Sequence, residues 1–525
     1  MRRAGKLLLA ALAASGLIGM LASVPARADH VQVSIFQDDE HLIYTPPSAA
    51  NETLAALKSL GVQVVRVTVE WADVAPDPHS RTRPAFNAID PASYPAGVWT
   101  RYDDLVLLAA HYGIAVQFTI TAPGPLWAMQ PNSPTVRAAD HYAPDPREFG
   151  EFVYAVGRRY SGTYFGLPRV GIWSIWNEPN QGGWLAPQWS KSNQGQVATS
   201  ANLYRRLLQA GYLALAYSGH VVGKDTILIG ELAPEGSSSR GFYEPMKPMV
   251  FLRALYCIDS SYRRLHGSSA TALGCPQSGS AHSFVAANPA LFDATGFAHH
   301  PYDFFLAPGI SSPDPAFVPL ANLSRLEHGL NRAFETYGDR RRIPIYLTEY
   351  GYQTNPPDPF QAVTPAEQAI YLNHADYMAW RDPRVRSVAQ FLLLDSGPDT
   401  RYPPSSFSYW DLFQTGLLFA GGAPKPAYFA YRMPIWIPHP HARRGRRTLV
   451  WGQLRPAPHS SSEQLYLQWA PPHRGFKTIA TVSTSNPSGY FTARVKLPGT
   501  GRVRVAWPSS SGAVLVSRSA PVRVK

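Results

Sequence analysis

Two glutamates stand where short apolar segments end, a setting in which carboxyl groups can do acid–base and nucleophilic chemistry. Glu178 follows an aromatic and aliphatic run in "GIWSIWNEPNQGGW", residues 171–184, and Glu349 follows another in "IPIYLTEYG", residues 343–351. Cleavage of a glycosidic bond uses such a pair. One carboxyl group protonates the leaving oxygen while the other attacks the anomeric carbon, about 5–5.5 Å away in retaining enzymes. The pair predicts this chemistry, provided that the fold brings the two residues together.

The elements that must position these glutamates are strand-like segments separated by amphipathic helical patterns. Alternation of this kind, eight times over, favours a parallel (β/α)8 barrel of the α/β class over a sandwich. An open doubly wound sheet is the alternative, but no G-x-G-x-x-G follows the first segment to suggest a dinucleotide fold. The predicted strands are residues 31–36, 62–67, 115–121, 170–176, 226–231, 294–299, 343–348 and 386–393.

In such a barrel the carboxyl ends of the strands converge on one face and point side chains into a common pocket. Glu178 follows the fourth predicted strand and Glu349 follows the seventh. The two carboxyl groups are therefore expected to face each other across the barrel axis.

The motifs resemble, in their order, those of clan A glycoside hydrolases, nearest to the cellulase-like family five and the xylosidase and iduronidase-like family thirty-nine. The resemblance rests on "VVRVTVEW" at strand two, "WNEPN" at strand four, "HHPY" at strand six and "LTEYG" at strand seven. It extends over roughly residues 30–435 as an ordered series of motifs. It implies a (β/α)8 barrel that acts on carbohydrate.

The resemblance also implies roles for individual residues. Glu178 would be the general acid/base and Glu349 the nucleophile. Asn177 would hydrogen-bond the sugar 2-hydroxyl, an interaction that strengthens in the transition state. Arg66 and Tyr302 would flank the nucleophile and keep it ionised through charge and hydrogen bonding.

His300 would line the subsite beside these residues. Some of the candidates have a structural interpretation as well. Glu349 could be a surface cap, Arg66 a barrel salt bridge and His300 a packed histidine. The "WNEPN" motif, together with its partner at strand seven, is the specific signal.

The eighth predicted strand departs from the clan pattern. Clan members commonly place a tryptophan there as the floor of the sugar subsite, whereas this chain has "SVAQFLLLDSG". Gln390, Phe391 or Trp410 is expected to take that place. Further tryptophans lie at or beyond predicted strand ends and could stack on sugars: Trp71, Trp127, Trp184 and Trp189.

Other reaction classes lack their sequence motifs. The chain has no H-E-x-x-H, paired C-x-x-C, Walker loop or G-x-S-x-G, which argues against metalloprotease, zinc-module, nucleotide hydrolase and serine esterase functions. The pair His299-His300 offers too few ligands for a metal site. We therefore expect neither a metal nor another cofactor.

The N-terminus predicts export. Three cations precede an apolar run at residues 7–21, and Ala26-Arg27-Ala28 resembles a signal peptidase site, so residues 1–28 are predicted to be a signal peptide. No later stretch is apolar enough for a transmembrane helix. The two cysteines, Cys257 and Cys275, are 18 positions apart and are expected to form a disulfide in an oxidising compartment.

The mature chain divides into regions that differ in net charge and in their pattern of strand and turn residues. We expect a barrel over residues 29–435, a Pro/Arg-rich linker over 436–446 and a small antiparallel β-sandwich over 447–525. Of the net charge of +12, the signal region carries +4 and residues 443–525 carry +13, which leaves −5 for residues 29–442. The basic character belongs to the C-terminal domain.

These observations predict a secreted, extracellular or wall-associated glycosidase that retains anomeric configuration and acts on a polysaccharide or oligosaccharide. A transglycosylase with the same mechanism is an alternative, and so is a wall-associated carbohydrate-binding protein without turnover. The basic domain predicts either an arginine-rich surface that aids solubility or contact with an anionic wall polymer or exopolysaccharide. Nucleic acid is not expected as a partner, because the protein is exported and no recognition motif is evident.

Overall fold

The computed structural model describes residues 32–193, 195–411, 413–458, 461–509 and 512–525. The predicted signal peptide lies outside these ranges. Among the residues within them, no helix has the length and apolar character needed to cross a membrane.

Eight parallel strands close into a barrel in sequential order, as predicted. Closure joins the first strand to both the second and the eighth, with Val33 opposite Ser387 and Ile35 opposite Val64. The carboxyl ends of all eight strands therefore meet at one face. The strands are β1 Val33–Gln37, β2 Val64–Glu70, β3 Ala115–Thr121, β4 Ile172–Ile175, β5 Thr226–Leu232, β6 Gly296–His299, β7 Ile345–Leu347 and β8 Val385–Phe391.

Helices follow the strands and cover the barrel. Two begin with strong local signals: Asp145 caps the helix that starts at Pro146, and Thr364 forms a capping box with Glu367. The helices are α1 Asp39–Leu42, α2 Pro47–Ser59, α3 Trp71–Val74, α4 Thr100–His111, α5 Pro146–Arg159, α6 Thr199–Tyr217, α7 Pro248–Leu255, α8 Gly267–Ala272, α9 Ala281–Ala287, α10 Pro289–Asp293, α11 Leu323–Thr336, α12 Pro365–Arg381 and α13 Pro426–Arg432.

Alternation along β2 explains how a buried strand can carry polar groups into the site. Val65, Val67 and Val69 join the large apolar core under the helices. Arg66 and Thr68 alternate with them and are buried on the opposite side, inside the barrel. The barrel interior is thus polar near the face that holds the two glutamates.

The loop after β5 carries the predicted disulfide. Cys257 and Cys275 are bonded, with Cα atoms 5.8 Å apart, and both residues are buried. The bridge closes the segment that contains α8, so the disulfide prediction is confirmed.

The C-terminal residues form the predicted β-sandwich. One sheet has the order β9–β11–β14, and the other has the order β10–β17–β15–β12–β13 with β16 added to β15. Apolar side chains from both sheets make a separate core. The strands are β9 Ile435–Trp436, β10 His441–Ala442, β11 Arg447–Gln453, β12 Glu463–Ala470, β13 Lys477–Thr484, β14 Tyr490–Lys496, β15 Gly501–Pro508, β16 Val514–Val516 and β17 Ala520–Val524.

The segment predicted to be a linker contributes strands to these sheets. Trp436 pairs with Trp451 in one sheet, and His441 pairs with Arg523 in the other. Residues 436–446 are therefore tied to the sandwich at both ends.

The sandwich packs firmly against the barrel. Arg455 reaches Asp376 on α12 in a buried ion pair of 2.7 Å and also donates to the backbone oxygen of Tyr431. Beside this pair, Trp451 is fully buried in a cluster with Tyr377 and Tyr490. Charge pairing and aromatic packing thus join the two domains.

Candidate active site

The loop after β4 holds Glu178 in a constrained backbone. Trp176 and Glu178 have φ angles of +70° and +36°, in the left-handed region that non-glycine residues rarely adopt. The backbone N–H of Glu178 donates to the carbonyl of Glu231 on β5 at 3.0 Å. The amide of Asn180 donates to the carbonyls of Ala233 and Met246 at 3.1 and 3.0 Å. The "WNEPN" motif is thereby fixed to the β5 loop.

Glu349 lies just past β7 and receives hydrogen bonds from two directions. Arg66 Nη1 on β2 donates to Glu349 Oε1 at 2.7 Å, and the Tyr302 hydroxyl donates to Oε2 at 3.1 Å. Both donors are buried. The carboxylate is therefore held between the two residues that were expected to flank it.

The two glutamates face each other at close range. One oxygen of Glu178, one oxygen of Glu349 and one ring nitrogen of His300 all lie within 4.8 Å of one another. The Glu178 side chain is 18% exposed and that of Glu349 is 10% exposed, so both reach the cavity from a largely enclosed position. The structure brings together the two carboxyl groups that the sequence predicted to be a pair.

Asn177 is oriented by contacts on its other side. Its Oδ1 accepts a hydrogen bond from Arg66 Nη2 at 2.8 Å, and its backbone N–H donates to Thr121 Oγ1 at 3.1 Å. Because the amide oxygen faces Arg66, the amide NH2 group is the part of the side chain presented to the cavity. A sugar hydroxyl is the kind of acceptor that this group suits.

His300 bridges carboxylates from different strands. Its Nδ1 lies 2.8 Å from Glu178 Oε1 and 3.5 Å from Glu349, and its Nε2 lies 2.6 Å from Glu231 Oε2. Burial favours the neutral ring. The charge of Glu349 and the hydrogen bonds to Glu178 and Glu231 outweigh that effect and raise the pKa of His300 to about 10. At neutral pH the ring is an imidazolium.

Glu231 is a site residue that the sequence reasoning missed. It has no exposed surface and accepts hydrogen bonds from Thr348 Oγ1 at 2.6 Å, from Arg66 Nη2 at 3.3 Å and from Ser174. Burial opposes its ionisation, but the charge of Arg66 and the contact with His300 lower its pKa to about 2. The signal that could have found it is a glutamate at the end of the fifth predicted strand, the same placement that singled out the other two.

Glu178 is shifted in the opposite direction. Burial raises its pKa above that of an ordinary glutamate, and the negative charge of Glu349 adds to the rise, while the hydrogen bond and charge of His300 oppose it. Glu178 therefore holds a proton more readily than an exposed carboxyl group does. A general acid needs this property.

The glutamates open into a cavity of about 540 Å³. Its wall includes five residues expected at the site: Asn177, Glu178, Trp184, Tyr302 and Glu349. Arg66 and His300 are fully buried and contact the glutamates from behind that wall.

Phe391 lies in the cavity wall at the end of strand eight, where clan members commonly place a tryptophan. Phe391 and Leu392 line the cavity, and the Phe391 ring packs edge-on against Phe413 with centroids 4.9 Å apart. Gln390 is buried and its amide donates to backbone carbonyls, and Trp410 donates to the carbonyl of Pro404. The aromatic surface near strand eight thus comes from phenylalanines.

The other candidate tryptophans lie elsewhere. Trp127 is not in the cavity wall: its indole nitrogen donates to the carbonyl of Pro76 at 2.9 Å, and its ring packs against Trp71 and Phe86. Trp71 is fully enclosed in the core, and Trp189 lies under the guanidinium of Arg240. Their placement beyond strand ends reflects packing, and among the four candidates Trp184 alone lines the cavity.

The cavity wall is acidic. Within the described ranges, none of the lining residues is lysine or arginine. Burial raises the pKa of Asp39 to about 6 and that of Glu70 to about 8, and in Glu70 the nearby charge of Asp73 adds to the rise. The carboxyl groups of the wall, besides the facing pair, belong to Asp39, Glu40, Glu70, Glu235 and Asp411.

Within the described residues, the one cluster whose donor atoms could converge on a metal ion consists of Glu178, His300 and Glu349. Both ring nitrogens of His300 already contact carboxylates. An imidazolium donates at both nitrogens and offers no lone pair to a metal. The hydrogen bonding in this cluster suits proton transfer better than ion binding.

No protein-family model matches the chain, and no curated protein matches it. Solved structures with a similar fold include a glucosidase from Croceicoccus marinus, with 11% identity over 94% of this chain and 96% of that chain at a TM-score of 0.46. A family 1 β-glucosidase from Thermotoga maritima has 12% identity over 76% of this chain and 94% of that chain, TM-score 0.45. A GH5_18 protein from Streptomyces cattleya in complex with GlcNAc has 16% identity over 76% and 79%, TM-score 0.43.

At such low identities these likenesses concern the fold alone. The closed barrel of eight parallel strands, with glutamates just past β4 and β7, agrees with the architecture that the motifs predicted. The predicted (β/α)8 barrel is confirmed by the strand order of the chain itself.

Proposed function

We propose that the protein is a retaining glycoside hydrolase. The observation that carries the proposal is the facing pair Glu178 and Glu349, whose nearest oxygens lie within 4.8 Å of one another in a cavity at the carboxyl end of a barrel. Retaining enzymes hold their carboxyl groups about 5–5.5 Å apart, whereas inverting enzymes need about 6.5–9.5 Å to admit a water molecule. The short separation favours double displacement.

In the first step Glu178 donates its proton to the glycosidic oxygen while Glu349 attacks the anomeric carbon. The bond from that carbon to the leaving oxygen breaks, and an ester between the sugar and Glu349 forms. Arg66 and Tyr302 orient the attacking carboxylate through their hydrogen bonds. The NH2 group of Asn177 is placed to bind the sugar 2-hydroxyl, where a hydrogen bond strengthens in the transition state.

In the second step Glu178 acts as a base. Formation of the ester removes the negative charge of Glu349, which is one of the influences that raise the pKa of Glu178. The hydrogen bond and charge of His300 then favour the ionised form. Glu178 takes a proton from water, the water oxygen attacks the anomeric carbon, and the carboxylate of Glu349 is released with net retention.

The substrate class that the cavity supports is an oligosaccharide or polysaccharide without negative charge near the cleaved bond, because the wall carries carboxyl groups and no arginine or lysine. A sugar hydroxyl that intercepts the ester in place of water would give transglycosylation. A binding protein without turnover is the remaining alternative, and it would bind glycosides without hydrolysing them.

The test is hydrolysis of a panel of neutral α- and β-glycosides by the full chain, compared with Glu178→Gln and Glu349→Gln. Each substitution should lower turnover by about 10³-fold or more without unfolding the protein. Glu367→Gln, which removes an exposed carboxylate at the α12 cap, is the matched control and should keep full activity. Near-native activity in either site variant would contradict the roles of Glu178 and Glu349. An NMR time course in which the inverted anomer is released first would exclude double displacement.

We also infer that the protein is exported. The observations in support are the cationic and apolar N-terminal sequence and the disulfide between Cys257 and Cys275. Fractionation of expressing cells, with N-terminal sequencing of the product, tests export. A mature chain that starts near Asp29 is expected, and an intact Met1 on protein retained inside the cells would contradict it.

The C-terminal domain supports a second binding proposal, contact with an anionic wall or exopolysaccharide polymer. A groove of about 370 Å³ on this domain is lined by the arginines 443, 446, 447 and 494 and the histidines 439 and 441. Arg447 also stands directly opposite Lys496 in the β11–β14 pairing, and like charges in that position are destabilising. The single acid of residues 443–525 is Glu463. It accepts a hydrogen bond from the neutral indole of Trp507.

This proposal is tested by sedimentation of the full chain with polygalacturonate as the anionic probe at rising salt. Binding should weaken with salt, because screening acts over about 8–10 Å. The variant with Arg443, Arg446, Arg447 and Arg494 changed to Gln should lose binding. The control changes Arg263, Arg332, Arg341 and Arg342 on the barrel surface, and equal loss in that control would reduce the effect to net charge alone.

A further inference from the structure

We propose that Glu231 is a positioning residue that keeps His300 doubly protonated and holds Arg66 in place. Through His300 it influences the ionisation of Glu178, and through Arg66 it influences the orientation of Glu349. For its effect on turnover this role rests on the proposed glycosidase function. Its effect on the ring of His300 does not depend on that function and is measured separately.

The backbone aims Glu231 into the barrel at a strand irregularity. The register between β5 and β6 shifts between Gly230, opposite Ala298, and Leu232, opposite His299. Glu231 is the extra residue at this β-bulge and has a φ of +47°. Bulges beside active sites re-aim a side chain at the cost of local strain. Because strain and burial of a charge both cost stability, a strained bulge that buries a carboxylate indicates a functional role for that carboxylate.

The contacts of Glu231 are all internal. Its Oε1 accepts from Ser174 on β4, and its Oε2 accepts from Thr348 at the end of β7. His300 and Arg66 complete the set around Oε2. With no exposed surface, Glu231 cannot touch a substrate in the cavity. Any influence on the reaction must pass through its partners.

His300 meets charged groups from every side. Glu178 faces it from the β4 loop, Glu231 from β5 and Glu349 from β7, while Arg66 on β2 contacts the last two. His299, its neighbour on β6, donates its Nε2–H to the carbonyl of Val318 and is turned away from this cluster. An imidazolium donates at both ring nitrogens and can therefore bind Glu231 and Glu178 at the same time.

A permanent anion opposite this ring is what the reaction needs. Glu178 is neutral while it acts as the acid, and Glu349 is neutral while it carries the sugar. The negative charge thus alternates between Glu178 and Glu349 during the two steps. Glu231 takes part in neither transfer and stays enclosed, so it is the one carboxylate partner of His300 whose charge does not change. Without it, a buried imidazolium would lose its constant partner and hold its proton less firmly.

The same carboxylate limits the rotation of Arg66. Nη2 of Arg66 is shared between Glu231 at 3.3 Å and Asn177 at 2.8 Å, while Nη1 contacts Glu349 at 2.7 Å. The planar guanidinium is thereby held by partners on three different strand ends. Loss of Glu231 should loosen the donor that orients Glu349.

The direct test is the protonation of His300, followed by NMR in protein labelled with ¹⁵N-histidine. The ring signals are assigned by their absence in His300→Gln. In the native chain His300 should remain doubly protonated from pH 5 to 8.5. In Glu231→Gln its titration midpoint should fall by about 2 units or more, because the constant anion is gone. Glu231→Asp, which keeps the charge, should restore most of the midpoint.

Asp376→Asn is the matched control, because it removes a buried carboxylate from an ion pair at the interface with the C-terminal domain. It should cost stability but leave the His300 titration unchanged. A neutral His300 at pH 7 in the native protein would overturn the proposal without any variant. So would an unchanged midpoint in Glu231→Gln.

Kinetics on a hydrolysed glycoside separate positioning from folding. Glu231→Gln should lower kcat by about 10–100-fold with little change in KM. Above the lowered midpoint of His300, a neutral ring no longer stabilises the carboxylate of Glu178, so the alkaline limb of kcat/KM should move to higher pH. Loss of activity in proportion to the unfolded fraction, with both limbs in place, would reduce Glu231 to a structural role. If no glycoside is hydrolysed by the native chain, the NMR result still stands on its own.

Discussion

Arg66 and Glu349 form an enclosed ion pair that spans the barrel, with Nη1 of the arginine 2.7 Å from Oε1 of the glutamate. Arg66 comes from β2 and Glu349 from the end of β7, and the arginine has no exposed surface. The guanidinium also reaches Asn177 and Glu231. One cation therefore donates hydrogen bonds to the proposed nucleophile, to the amide proposed to bind the sugar and to the buried anion behind them.

Replacing Arg66 should affect activity and stability together. Arg66→Lys keeps a charge but cannot serve these acceptors at once, so kcat/KM should fall by about 10²-fold. Arg66→Met leaves buried carboxylates unpaired and should cost about 3–5 kcal/mol of unfolding free energy. Arg384→Lys, which removes a multiply bonded arginine near the amino ends of the strands, is the control and should lower Tm alone. Native kinetics in Arg66→Lys would contradict the role.

The pH profile should show the raised pKa of Glu178. A carboxyl group with a raised pKa stays protonated above the ordinary value of about 4.3. The alkaline limb of kcat/KM should therefore lie above that value and report the loss of the proton from Glu178. Initial rates on one glycoside across pH 3–10 provide the measurement. An alkaline limb at or below the ordinary value would show that another group supplies the proton.

Acid unfolding should reveal Glu231. Its pKa is lowered to about 2 in the folded chain, so its stabilising effect is complete above about pH 4.3 and is lost as the pH falls through 2. The difference corresponds to about 3 kcal/mol. Urea unfolding from pH 5 to 2 should show a steeper loss of stability in the native chain than in Glu231→Gln. Equal slopes in the two proteins would contradict the shift.

Phe413 should contribute to substrate affinity rather than to chemistry. Its side chain lines the cavity, is 47% exposed and packs edge-on against Phe391. Phe413→Ala should raise KM by about 3–10-fold with little change in kcat, because about 1 kcal/mol of aromatic contact is lost. Phe165→Ala, at a ring that is 89% exposed outside the cavity wall, should change neither constant. A fall in kcat with constant KM would instead place Phe413 in the chemical step.

The interface between the domains should matter for stability. Arg455→Gln leaves Asp376 buried without its partner and should cost about 3–5 kcal/mol. Calorimetry should show a lower Tm, or two transitions in place of one. Arg502→Gln, an exposed arginine on the same domain, should leave the Tm unchanged. An unaltered Tm in Arg455→Gln would mean that the domains are joined without this pair.

The strands were predictable because their signals are local. The third strand has the predicted bounds, 115–121, and the seventh is shorter than predicted, Ile345–Leu347 against 343–348. An apolar run reports which residues are buried, but hydrogen bonding to neighbouring strands decides where a strand begins and ends. In the barrel the predictions erred at strand ends and not in the number or order of the strands.

The strand-end positions of Glu178 and Glu349 predicted a functional pair, whereas Glu231 was not predicted to belong to the site. All three lie at strand ends. The place of Glu231 in the site depends on a bulge in β5 and on partners on or just past β2, β4, β6 and β7. Those partners are up to 165 positions away in the chain. No local pattern specifies which distant side chains will surround a buried carboxylate.

The sequence by itself determined the barrel, the facing glutamates, the disulfide and the sandwich, because strand periodicity, motif order and cysteine count are properties of nearby residues. Tertiary structure alone decided that Trp127 packs beside the core, that Phe391 lines the cavity and that Arg455 ties the sandwich to α12. Each of these depends on which surfaces meet when the chain closes. That choice is made by packing and charge between segments far apart in the chain.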